Sequence, residues 1–95
     1  MLVVIVDFSI KEGKEAEFLD WFAWSNEEFA KFKGFIRRRL LKPKEEGNYK
    51  AVIEFENLAD FKAVGESPFH DVSAQRILPM LQEKLAPKIF EELMG

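Results

Sequence analysis

Cysteine is absent from the chain, which excludes disulfides, thiolate zinc sites, iron–sulfur clusters and cysteine nucleophiles. Histidine is nearly absent too. A lone His70 builds no zinc or copper centre of the usual kind, and the acidic residues form no clustered motif for a hard cation, so no metal is expected. The five glycines, at 13, 34, 47, 65 and 95, are too dispersed for a phosphate-cradling loop or a dinucleotide fingerprint. Ser9, Ser25, Ser67 and Ser73 lie in no nucleophile-elbow pattern. The opening apolar run from Leu2 stops at Asp7, far short of the ~20 residues of a membrane-spanning helix, so no membrane partner is expected. Net charge is -3 with both signs interspersed, which leaves no broad positive field for a phosphate backbone and makes nucleic acid an unexpected partner. The missing cysteines, with no cleavable signal in view, favour the cytoplasm.

Apolar residues are plentiful. They make up 47% of the 95 residues, with 10 Phe, 2 Trp and 1 Tyr, and one domain spanning residues 1–95 has little interior to hold them. A chain this short buries only about 60 to 65% of its unfolded surface alone, so part of the load is expected in a subunit interface or a ligand pocket.

Val and Ile run without a break through Leu2 to Ser9, as in a central strand covered on both faces. Between Glu15 and Lys33, Phe18, Phe22, Phe29 and Phe32 recur at helical spacing, with Ser25 completing the stripe and Leu19, Trp21 and Trp24 widening it. The run Ser25-Asn26-Glu27-Glu28 fits a capping box at which the helix would break or restart, and Gly34 sits where a C-terminal cap belongs. Phe35 to Lys42 reads as a strand, and Pro43 to Asn48 as a hairpin loop. Tyr49 to Phe55 alternates as the next strand. Asn57 caps a short helix through Phe61 and Val64 that Gly65 ends. Ser67 or Pro68 starts another, with Phe69, Val72, Ile77, Leu78, Leu81 and Leu85 on its apolar side and a kink expected at Pro79. Periodicity leaves Lys88 to Met94 open between strand and helix.

This order, α+β with a split β-α-β (βαββαβ) antiparallel sheet, is the ferredoxin-like arrangement. Because Val, Ile and Phe point to both sides of the strands, a second copy packed sheet to sheet about a two-fold axis is the simplest cover for the helix-free face.

The run Phe8-Ser9-Ile10-Lys11-Glu12-Gly13-Lys14-Glu15-Ala16-Glu17-Phe18 resembles the antibiotic biosynthesis monooxygenase family of dimeric α/β barrels. So do Gly34 to Leu41, Tyr49 to Phe55, the helix around Phe61, and Ser67-Pro68-Phe69-His70. The resemblance implies a final strand over Lys88 to Leu93 and a homodimer. It also implies an activity without metal, flavin or other cofactor, in which a deprotonated, electron-rich substrate reacts directly with dioxygen. Such chemistry needs a base, donors for a phenolate and a dry aromatic pocket. The haem-degrading branch places Asn, Trp and His at positions that here hold Asp7, Val64 and a residue near Ser73, so haem degradation is not expected.

Two catalytic candidates follow. His70 is the one residue whose ordinary titration range suits proton transfer near neutrality, although a lone His at a helix start more often bonds a neighbour or faces water. Asp7, on a strand otherwise apolar, either lines a cavity or meets a cation such as Lys50, and pairing is the commoner outcome. Candidate substrate contacts are Arg37, Tyr49, Trp21 and Trp24. Of Arg37, Arg38 and Arg39 at least one points to each face, which would set a guanidinium against an anionic ligand, while charges on an edge strand also discourage aggregation. Tyr49 would donate to a phenolate, and the two Trp would wall a flat substrate, unless all three serve packing. The first expectation is thus a cofactor-free oxygenase for a small aromatic or enolisable molecule. The alternative is a non-catalytic dimeric barrel that binds an apolar ligand or only assembles.

Overall fold

In the computed structural model, which describes residues 1–95, the chain runs β1 (Leu2–Phe8), α1 (Glu15–Phe29), β2 (Phe35–Leu41), β3 (Tyr49–Phe55), α2 (Leu58–Gly65), α3 (Pro68–Ile77) and β4 (Lys88–Glu91). A one-turn 3-10 segment, Leu78–Met80, follows α3. The antiparallel sheet has the order β2-β3-β1-β4, so β1 is central and β2 lies at an edge, the ferredoxin-like arrangement expected. No helix is long and apolar enough to cross a membrane.

Alternation sorts each strand. Val4, Val6 and Phe8 of β1 and Ala51, Ile53 and Phe55 of β3 are buried against the helices, where α1 supplies Phe18, Trp21 and Phe22. Phe18 sits at the middle of the aromatic contacts, with ring centroids 5.1 Å from Phe8, 5.9 Å from Trp21 and 5.2 Å from Tyr49. The opposite face has no helix. There Val3, Ile5 and Val52 are only partly covered and Phe90 remains 48% exposed, so within one chain β1 is covered on one side rather than both.

One irregularity decides what the edge strand presents. Phe35 pairs with Phe55, but Arg37 pairs with Glu54 and Arg38 with Ile53, so Ile36 is an extra residue in β2. A bulge of this kind reverses the alternation beyond it. Phe35 faces the helices, and after the bulge Arg38 and Leu40 do so instead of Arg37 and Arg39.

Several boundaries differ from the sequence expectation. α1 stops at Phe29 rather than Lys33, and it passes through Ser25 without a break. Ser25 caps nothing, because its hydroxyl donates to the Phe22 carbonyl at 3.0 Å and is fully buried. Gly34 adopts φ +80, and a Cβ there would clash with the Asp60 side chain, so the turn into β2 needs glycine both for its backbone and for the approach of α2. Asn57 and Ser67 cap α2 and α3 through their side chains, accepting from the backbone N–H of Asp60 and His70. Pro79 ends the regular helix at Ile77 instead of kinking a longer one. The chain then returns to β1: Lys11 N donates to Met80 O and Gln82 N to Ser9 O, each at 2.8 Å. The tail is a strand, shorter than expected, over Lys88–Glu91.

Candidate functional site

A cavity of about 890 Å³ lies between the helix face of the sheet and α2, α3 and the segment leading to β4. Val6, Phe8 and Ile53 form its sheet wall, and Trp21 and Phe29 close it from α1. Val64, Ser73, Ala74 and Ile77 line the helical side, and Leu85, Pro87 and Ile89 the C-terminal side. Such a wall strips water from a ligand and strengthens any electrostatic contact within it.

Two of the expected residues meet there. Trp21 is buried in the wall and fixed by its indole N–H, which donates to the Ser73 carbonyl at 3.1 Å. His70 lines the cavity from the first turn of α3 with its side chain 55% exposed, which places it toward the opening. Its Nδ1 lies 4.0 Å from Asp71 Oδ1, too far for a hydrogen bond, so the imidazole is free to meet a ligand.

The other four lie elsewhere. Asp7 is on the helix-free face, where Lys50 Nζ donates to its Oδ1 at 2.6 Å, so the sheet separates it from His70. Arg37, turned to that same face by the bulge, donates from Nε to Glu54 Oε2 at 2.5 Å. The Tyr49 hydroxyl donates to Glu15 Oε2 at 2.6 Å, a bond that raises the phenol above its ordinary pKa and occupies the proton meant for a substrate. Tyr49 borders a separate small pocket with Glu15 and Gln82. Trp24 packs on Phe69, with centroids 5.5 Å apart, and under the Arg76 guanidinium at 4.2 Å, outside the cavity.

The residue that does reach the cavity from the arginine triplet is Arg38. It is 7% exposed and its guanidinium carbon stands 3.9 Å from the centre of the Phe22 ring, 4.6 Å from Phe29 and 5.5 Å from Trp21. Nη1 donates to Ser25 Oγ at 2.8 Å, with longer bonds of 3.4 Å to Phe22 O and Asn26 Oδ1. Nε has no partner, and no carboxylate pairs with the group. Burial pushes its pKa down to about 9, which leaves it charged at neutral pH. The sequence carried one signal for this: a serine in the Phe stripe of α1 opposite an arginine in an apolar strand. No three His, Asp or Glu side chains converge as metal ligands.

A sequence model of a family described as antibiotic biosynthesis monooxygenase matches residues 1–74. Among curated protein sequences none matches the chain. Solved structures share its fold closely at low identity. SnoaB, a cofactor-independent oxygenase from Streptomyces nogalater, is 20% identical with a TM-score of 0.88, covering 99% of this chain and 94% of that one. A conserved Methanosarcina mazei protein is 16% identical with a TM-score of 0.89, over 97% of this chain and 92% of that one. A Nitrosomonas europaea protein is 19% identical with a TM-score of 0.88, over 99% and 100%.

Proposed function

The chain belongs to the antibiotic biosynthesis monooxygenase family, and from that premise we propose that it is a cofactor-independent oxygenase for a small aromatic or enolisable molecule bound in the cavity between sheet and helices. The observation that carries the reading is a largely apolar cavity of about 890 Å³ in which an unbonded His70 imidazole and the buried Arg38 cation line the same space. A cavity filled by the Phe and Trp side chains would have favoured a purely structural barrel.

His70 takes a proton from an acidic C–H or O–H of the substrate, and the cation lowers the energy of the resulting enolate or phenolate. That electron-rich anion reduces dioxygen directly. For a ring CH2 oxidised to a carbonyl, one oxygen atom enters the carbon and the other leaves as water with the two hydrogens lost. Trp21 and Phe8 hold a flat ring against the sheet and keep bulk water from the carbanion. Asp7, Arg37, Tyr49 and Trp24 have no part in this scheme.

We also propose that two copies join through their helix-free sheet faces in the cytoplasm. Support comes from the partly bare Val3, Ile5, Val52 and Phe90 on that face, flanked by the pairs Asp7–Lys50 and Arg37–Glu54. Light scattering is expected to give twice the 11.1 kDa chain mass.

Oxygen uptake on a panel of anthrones and polyphenols with and without a ring carboxylate, with chelator present, tests the activity. Uptake is expected to depend on the protein, ignore the chelator and fall roughly 100-fold in His70→Ala. A panel that yields no protein-dependent uptake, or a His70→Ala variant as fast as the parent, would overturn the assignment of the base.

A further inference from the structure

We infer that the cavity selects ligands that already carry a carboxylate, a flat apolar acid rather than a neutral phenol, and that Arg38 is the residue that selects them. The inference rests on the cavity of the oxygenase reading but not on the oxygenation itself.

Three observations converge on it. First, Arg38 is a buried cation without an anion. Its cost of burial is offset by ring faces and by neutral oxygens, and these hold the guanidinium in place without neutralising it. Second, the bonds it makes are all on one side. Nη1 is committed to Ser25, Phe22 and Asn26, whereas Nε is buried without a partner and Nη2 makes no hydrogen bond, on a side chain that borders the cavity. Nε and Nη2 form the side-on edge of a guanidinium, whose two parallel N–H groups match the two oxygens of a carboxylate. A single phenolate oxygen leaves one of those donors unmet. Third, the cavity departs from the chain's own charge balance. The protein as a whole is -3, yet Arg38, Lys62 and Lys84 line the cavity against the single carboxylate of Glu66. The lysines are exposed and draw an anion toward the opening, while Arg38 borders the buried part of the same space.

The parts cooperate to keep that donor edge free. Phe22, Phe29 and Trp21 pack around the guanidinium and Ser25 anchors Nη1, so the fork does not have to be ordered when a ligand arrives. An apolar acid would bring the aromatic surface that the wall wants and the two acceptors that the fork lacks.

Isothermal titration at pH 7.5 with 2-naphthoate and its neutral isostere 2-naphthamide tests the inference on the intact protein. The acid is expected to bind on the order of 10-fold more tightly than the amide, or more, as a charge-assisted bond in a dry site should give. Arg38→Met is expected to erase the preference, with the acid losing far more affinity than the amide. Arg38→Lys, which keeps the charge but not the fork, is expected to lose most of it and serves where the Met variant fails to fold. The double variant Lys62→Gln/Lys84→Gln is expected to retain the preference. Equal affinities in the parent, no binding of either probe at millimolar concentration, or a preference that survives both Arg38 variants and disappears with the two lysines would each overturn the inference. Oxygen uptake is not read in this titration, so a protein that prefers the acid yet consumes no oxygen loses only the oxygenase reading, and the converse holds as well.

Discussion

Arg37 and Arg38 are neighbours on one strand, and the two faces of the sheet treat them in opposite ways. On the helix-free face Arg37 is half wet and its charge is answered by Glu54 at 2.5 Å. On the helix face Arg38 is dry, ringed by three aromatic side chains, and answered by no carboxylate. Placement on the first face keeps a sheet soluble and in register. Placement on the second is expensive and finds its return in what the charge can bind. The comparison teaches that in this fold an unpaired charge says more about function than a paired one.

The largest test of the contrast is mechanical. Phe55, fully buried on the helix face, is expected to cost about 3–5 kcal/mol on truncation to Ala, measured by urea unfolding. On the other face Val52→Asp is expected to leave a folded monomer, seen by light scattering with unchanged circular dichroism, because a carboxylate there is tolerated only when wet. An unfolded Val52→Asp chain, or an intact assembly, would break the distinction between the faces.

The arginines give the next test. Arg38→Met is expected to stay within about 1 kcal/mol of the parent in stability, since the desolvation it relieves offsets the ring contacts it loses, yet to lose selectivity for acids. Arg37→Met should do the reverse, costing about 1–3 kcal/mol because it strands the Glu54 carboxylate, whose side chain is only 11% exposed, with selectivity intact. Swapped outcomes in calorimetry would mean that the roles have been assigned to the wrong residues. The smallest effect belongs to Asp7→Asn. Both members of the Asp7–Lys50 pair are about half exposed, so the change is expected to move stability by about 0.5 kcal/mol or less and to leave oxygen uptake alone.

Much of the fold was legible because local chemistry and global packing agree. The alternation of Tyr49 to Phe55 matches the observed strand residue for residue, and the caps at Asn57 and Ser67 are used as their side chains suggest. Local signals misled where a distant partner claimed the group. Ser25 has the spacing of a capping residue, but its hydroxyl serves the inside of the helix stripe and the Arg38 guanidinium. Tyr49 and Asp7 have functional chemistry on paper, and both are consumed by partners 34 and 43 residues away in sequence. His70 and Trp21 border the cavity. Arg38 did not stand out from the triplet because alternation counted from Phe35 turns Arg37 inward, and only the strand pairing reveals the additional residue that reverses the count.

That one-residue insertion at Ile36 behaves like a reading frame for side chains. Every position after it is assigned to inside or outside by a single offset, so pairing Ile36 regularly with Glu54, without the bulge, would hand the interior to Arg37 and Arg39 and send Arg38 to the surface. Three consecutive arginines make the outcome tolerant: in either frame a guanidinium points in and another points out. What a frame error forfeits is the seat prepared by Ser25, and with it the orientation of the cation rather than its presence.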